Sequence, residues 1–333
     1  METLKELLKK AGPFLLAIWL ALTTLSVGNN LIIKKDDGVQ LTAALISDTH
    51  VGDEIHRKIA LPPGLRDISR RVKPDVLVLA GDCTDNGNDA NWQALQKIFD
   101  KNADVPATIL ALGNHDCWTS YDDDHSYDAA KAAYLQYGGA IMGFVPEDVF
   151  FLREIGGYAF LVLGSEADST DCIMTDRQLD WAARTLAAVY EKDPGKPIFV
   201  VNHQPFNFTH AVGADEHGNG FDSQETSDRL QAILDQYPNI FYICGHQHYP
   251  LAQEPADDPA GFATVERVGQ HITSVNLPCY GYGTFLEGGT SVFAAGLVMY
   301  VFDDHVQFKG RNFFLSNWSR DFDVSVPLEA VDG

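Results

Sequence analysis

Asp48-Thr49-His50, Gly81-Asp82, Gly113-Asn114-His115-Asp116, His203 and Gly245-His246-Gln247-His248 follow one another along the chain, and each stretch carries residue types that bind metal ions. Carboxylate and imidazole donors suit Zn, Fe, Mn, Co or Ni, whereas thiolates would select softer chemistry. The donors suffice for two adjacent divalent ions. One carboxylate shared between ions about 3.5–4 Å apart can help clamp both the attacking and the leaving oxygen of a displacement at phosphorus. Residues i and i+2 at a strand end point the same way, so Asp48 and His50 can reach one ion from one side. His246 and His248 share that spacing, although a tight turn would aim them at different ions. Gly81, Gly113 and Gly245 permit sharp turns and close backbone approach.

Each stretch follows an apolar run, at 41–46, 75–80, 107–112, 197–201 and 239–244. Short apolar runs bounded by turn residues read as buried strands, and open α/β sheets bind ligands beyond the carboxyl ends of their strands. The five loops are therefore expected to converge on one crevice. Helices are expected at 53–72, interrupted by Pro62-Pro63-Gly64, and at 89–101, 126–137, 175–191 and 223–236. In the fourth of these, Leu179, Ala182, Ala183 and Leu186 recur at helical spacing. Residues 149–152 and 158–163 read as a hairpin around Gly156-Gly157, and 292–302 and 305–309 as two late strands.

Taken in order, DTH, GDCTD, GNHD, NH and GHQH resemble the pattern of the calcineurin-like metallophosphoesterases, across roughly 41–314. The resemblance implies an α/β fold of two packed mixed β-sheets flanked by helices, an αββα sandwich with the metals at one end. It implies a first metal on Asp48, His50, Asp82 and His248, and a second on Asp82, Asn114, His203 and His246, with Asp82 bridging. It makes His115 the proton donor to the leaving group and Asp116 the residue that orients His115 and keeps it charged. Purple acid phosphatases carry a tyrosine three positions after the bridging aspartate. Here Asp85 stands there, so two exchangeable divalent ions without a tyrosinate colour are expected. The implied activity is hydrolysis of a phosphate ester by in-line attack of an activated water. A phosphodiesterase or broad phosphatase is the leading form, and a phospholipid or nucleotide pyrophosphate hydrolase the runner-up. A non-catalytic, metal-containing scaffold is the competing class, and the intact ligand set and His115 argue against it. A surface adhesin or sugar-binding protein is disfavoured by the strand-end order of the ligands.

The net charge of −22 and a pI near 4.7 argue against a basic nucleic-acid groove. An anionic ester is still compatible, because divalent ions make the site locally positive. Five cysteines, with no CxxC pair, imply no disulfide framework. Cys83 and Cys117 follow metal-type residues and read as small buried side chains rather than ligands or a redox pair. Residues 1–28 form a separate hydrophobic segment ahead of a single catalytic domain at 29–333. Its apolar run, 11–27, is short for a membrane span and long enough for a signal peptide core, so export or membrane attachment is expected, with a cytoplasmic location the alternative. The loop 202–221 leaves the site from His203. Phe206, Phe208 and His210 on it, together with Arg311, are candidate substrate contacts, with a surface loop the equal alternative for the first three and a structural ion pair the preferred reading of Arg311.

Overall fold

The computed structural model describes residues 33, 35–117, 126–210, 220–253, 262–281, 284–285 and 291–330. The segment 1–28 and His217 lie outside them. Among the described residues no helix is long and apolar enough to cross a membrane.

Two six-stranded sheets form the core. The first runs β14-β13-β12-β1-β2-β3. Its parallel half is β1 (Leu41–Ile46), β2 (Val76–Leu79) and β3 (Thr108–Leu110), and its antiparallel half is β12 (Ala295–Val301), β13 (His305–Asn312) and β14 (Asn317–Pro327). The second runs β4-β5-β6-β7-β9-β8. Here β5 (Tyr158–Val162), β6 (Ile198–Val201), β7 (Ile240–Cys244) and β9 (Ile272–Asn276) are parallel, and β4 (Phe151–Ile155) and β8 (Val265–Val268) are antiparallel edges. β1, β2, β5, β6 and β7 are buried at every position, which explains why they read as continuous apolar runs rather than alternating ones. The sheets meet through aromatic side chains such as Phe241 of β7 and Phe308 of β13, 6.0 Å between ring centroids. The expected fold class is the observed one.

Helices cover the sheets. α1 is Ile55–Asp67, α2 Asp89–Asn102, α3 the single turn Asn114–Cys117, α4 Tyr127–Ala133, α5 Gly139–Met142, α6 Asp176–Lys192 and α7 Gln224–Leu234. α6 buries Gln178, Leu179, Ala182 and Leu186, one stripe of an otherwise polar helix. Gln178 spends its amide on the Gly164 backbone, accepting from N at 3.1 Å and donating to O at 2.8 Å.

Three expectations change. Pro62 and Pro63 do not interrupt α1, which runs through them into a π-helical turn at Ile68–Val72. The N–H groups they lack would have met the carbonyls of Lys58 and Ile59, on a face that reaches solvent, while Ala60, Leu61, Leu65 and Ile68 stay buried. The helix expected at 126–137 is two short helices joined by a π-helical turn at Tyr134–Gly138. β14 was not foreseen, because its one buried side chain, Phe322, gives no apolar pattern.

Candidate metal centre

The ligand-type residues sit beyond the carboxyl ends of β1, β2, β3, β6 and β7. Backbone pairing continues past the strands and fixes the loops relative to one another. Asp48 N donates to Gly81 O at 3.1 Å and His50 N to Asp82 O at 2.9 Å, tying the first two loops. Gly245 N donates to His203 O at 2.9 Å, tying the loops after β6 and β7. The sheets are stitched together where His246 N reaches the Asp48 carboxylate, at 3.2 and 3.3 Å from its two oxygens. Two glycines make this approach possible. A Cβ on Gly81, whose φ is +90°, would lie 2.5 Å from the His203 side chain, and one on Gly245 would lie 2.0 Å from Ser47 Oγ.

Asp48, His50, Asp82, His246 and His248 all have positive φ, between 42° and 71°. Such a conformation costs a non-glycine residue on the order of 1–3 kcal/mol and persists only where the surroundings impose it. The strain turns five side chains inward.

The side chains form two clusters that share one carboxylate. Asp48, His50, Asp82 and His248 hold ligand atoms within 4.8 Å of one another, and so do Asp82, His203 and His246. Asn114 joins the second group, its Oδ1 3.0 Å from His246 Nδ1. His203 Nε2 lies 3.1 Å from Asp82 Oδ2, and His248 Nε2 3.0 Å from Asp48 Oδ1. All seven expected ligands are therefore brought together.

Several features fit a cation here. His50 Nε2 and His248 Nε2 face each other at 3.2 Å, a separation at which only one of them can carry a proton. His203 Nδ1 sits 2.8 Å from Ala80 O, and a carbonyl can only accept, so Nε2 is the atom turned to the cluster. That Nε2 is buried, and its nearest oxygen, Asp82 Oδ2 at 3.1 Å, is not aligned as a regular hydrogen bond. Burial raises the Asp48 carboxyl, but the His248 and His203 rings outweigh it and bring the group down to about 2. Asp82 is held well below the carboxylate range by His203 and His50 despite its burial. Burial lowers His203, yet the charges of Asp82 and Asp48 lift it to about 9. His246 is pushed down to about 3 by burial and by His203. The two carboxylates are already ionised, as a divalent site requires, and His203, charged in the metal-free protein, would give up its proton on binding an ion.

His115 stands at the edge, its ring 4.6 Å from that of His50. Its backbone N donates to Asp82 Oδ1 at 2.8 Å, and its Nδ1–H donates to the carbonyl of Asp85 at 2.8 Å. Asp85 also pairs with Arg57 and lies 3.6 Å from His50 Nδ1 through Oδ1. This corrects the role expected of Asp116. Its carboxylate accepts from Cys83 N at 3.1 Å, Thr84 N and Oγ1 at 2.8 Å each, and Gly113 N at 2.9 Å. It therefore ties the Asp82 loop to the Asn114 loop, and Asp85 orients the His115 ring. The hint in the sequence was the place of Asp85, three residues after Asp82.

Three of the four candidate substrate contacts are buried away from the site's wall. Phe206 is core, stacked on Tyr242 at 4.2 Å. His210 is buried with both nitrogens engaged, Nδ1 with Ala263 O at 2.8 Å and Nε2 with Ser274 Oγ at 2.7 Å. Arg311 is 2% exposed and forms a two-pronged pair with Asp67, at 2.7 and 2.8 Å. Of the aromatic residues on that loop, Phe208 is the exposed one. Cys83 and Cys117 are free and buried, their thiols raised by burial and by Asp116.

Comparison with known proteins agrees with this geometry. A 3',5'-cyclic-nucleotide phosphodiesterase of Nostoc sp. is 26% identical over 188 residues, a match covering 55% of this chain and 59% of that protein, less than two thirds of its length. A protein of Arcobacter nitrofigilis named "Probable glycerophosphodiester phosphodiesterase GpdQ" is 26% identical over 216 residues, covering 61% of this chain and 70% of that one. The solved structure of GAP50, the anchor in the inner membrane complex of Plasmodium, superposes with a TM-score of 0.53 at 13% identity, covering 87% of this chain and 89% of that one, a likeness of fold alone. The profile of the calcineurin-like phosphoesterases matches residues 41–250, the span that carries every one of the converging ligand loops, and the chain belongs to that family.

Proposed function

We propose that this chain hydrolyses phosphodiesters with two divalent ions, one on Asp48, His50, Asp82 and His248 and the other on Asp82, Asn114, His203 and His246. The observation that carries the reading is the pair of ligand clusters meeting at Asp82. When bound, such ions neutralise phosphoryl oxygens and lower the pKa of an attacking water. The protein's own groups supply the rest. The His115 backbone holds one Asp82 oxygen, leaving the other toward His203 and His50. The Asp85 carbonyl keeps a proton on His115 Nδ1, so Nε2 is the atom that gives a proton to the departing alkoxide. Diesters are favoured over monoesters because both curated relatives above carry diesterase names; a broad phosphatase is the second reading. The apolar run 11–27 supports an exported or membrane-attached enzyme, which cell fractionation and N-terminal sequencing of the mature chain would test.

Chelated protein reloaded with Mn, Zn, Fe, Co or Ni should cleave bis-p-nitrophenyl phosphate faster than p-nitrophenyl phosphate. His115→Ala should lower turnover about 10²–10⁴-fold for alkyl esters and much less for p-nitrophenyl esters. Equal losses on both would remove His115 as the acid, and no turnover with both ions bound would sink the hydrolase.

A further inference from the structure

One more ligand-type atom faces the first cluster, and the family's motif does not contain it. Cys279 Sγ lies within 4.8 Å of a ring nitrogen of His50 and of His248, the three atoms being mutual neighbours. The residue is 1% exposed, and Sγ is 3.3 Å from the Asp48 backbone oxygen. Its place is set by the backbone. Cys279 bridges Ser47 in parallel, Tyr280 N donates to Ser47 O at 3.0 Å, and Gly281 N donates to Asp48 O at 2.8 Å. A Cβ on Gly281 would fall 2.4 Å from Thr49 O, so this segment lies directly against the loop that carries Asp48 and His50. The other cysteines have no such neighbours. Their thiols face Ala111 O, Gly113 O, Asn202 Oδ1 and Val275 O, and no other cysteine among the described residues joins a metal-type cluster.

We propose that Cys279 is a ligand of the ion held by Asp48, His50, Asp82 and His248, giving that position a sulfur–nitrogen–oxygen donor set that prefers thiophilic ions over Mn or Mg. This rests on the metal reading above. An ion with these five protein donors would be at least five-coordinate, and metal–sulfur and metal–nitrogen bonds of about 2.3 and 2.0–2.1 Å would separate sulfur from a neighbouring nitrogen by roughly 3.1–3.6 Å, within the 4.8 Å bound of the cluster. On binding, the S–H proton passes to solvent, the contact with Asp48 O is given up, and the sulfur lone pair forms the bond to the ion. The thiolate adds one negative charge to those of Asp48 and Asp82. Sulfur at this position selects Zn, Co or Cd, while the second position, built on Asp82, Asn114, His203 and His246, has no sulfur within its cluster.

The full chain is chelated and titrated with Co(II), with bound cobalt counted by elemental analysis. The expected result is visible d–d absorption with a near-ultraviolet sulfur-to-cobalt charge-transfer band. That band should vanish in Cys279→Ser and Cys279→Ala while cobalt stays bound, and should persist in Cys83→Ser. The Zn-over-Mn preference should fall at least tenfold in Cys279→Ser. Bound cobalt with d–d bands but no charge-transfer band in the parent chain, or a band that survives Cys279→Ser, would overturn the proposal while leaving the metal centre standing. No bound cobalt and no d–d bands would overturn both. The parent spectrum decides even if a variant fails to fold.

Discussion

Two kinds of buried polar cluster occur in this molecule, and they are built in opposite ways. Around Arg311 and His210 the polar atoms are supplied with partners. The guanidinium meets both oxygens of Asp67, and the imidazole has an oxygen at each nitrogen. Around Asp82 two carboxylates and four imidazoles are crowded together. Two imidazole nitrogens face each other at 3.2 Å, His203 Nε2 has only a misaligned Asp82 oxygen at 3.1 Å, and five residues bear positive φ, a conformation that His210 shares. A buried cluster that is complete by itself is architecture. One in which ligand-type atoms face each other instead of closed partners is a place for a cation.

That contrast can be broken most severely at Asp82. Asp82→Ala should reduce turnover more than about 10³-fold and lower bound metal, read by kinetics and elemental analysis, because both clusters lose their shared oxygen. Retention of both ions would dissolve the distinction. Arg311→Met should do the reverse. Leaving Asp67 buried with only Arg71, whose Nε lies 3.7 Å from Oδ1, should cost up to about 3–5 kcal/mol in chemical denaturation, with turnover per folded molecule unchanged, and adding Asp67→Leu should restore most of the loss. Asp116→Asn sharpens the comparison from the side. An amide nitrogen in place of one carboxylate oxygen would face N–H donors now bonded to it, so the two ligand loops should drift and metal affinity fall about 10–100-fold. The smallest effect is expected for His210→Gln, about 1–3 kcal/mol of stability with kinetic constants unaltered. A change in KM there would return His210 to the substrate wall.

The parallel strands were legible because burial on both faces writes an unbroken apolar run into the chain, as at 41–46 and 240–244. β14 was not, since it pairs through its backbone with β13 and buries little. Pro62 and Pro63 misled for a similar reason. The sequence shows the missing donors but not that Lys58 and Ile59, whose carbonyls they would have met, lie on a face that reaches solvent.

The types and order of the ligand-type residues, the strands that precede them, and the glycines that let loops approach were determined by the sequence alone, because each is a local property of a few neighbouring residues. The partners of a side chain are not local. Asp116 stands next to His115 in the chain, yet its carboxylate closes the Asp82 loop, while Asp85, thirty residues away, orients the imidazole. Arg311 read either as a phosphate contact or as half of a structural ion pair, and the sheet decides for the second by bringing Asp67 to it. Cys279 carried no motif at all, and only the parallel pairing of its segment with Ser47 and Asp48 sets its sulfur beside His50 and His248. Donor chemistry belongs to the residue, whereas what that donor faces is decided by register and packing between segments more than two hundred residues apart.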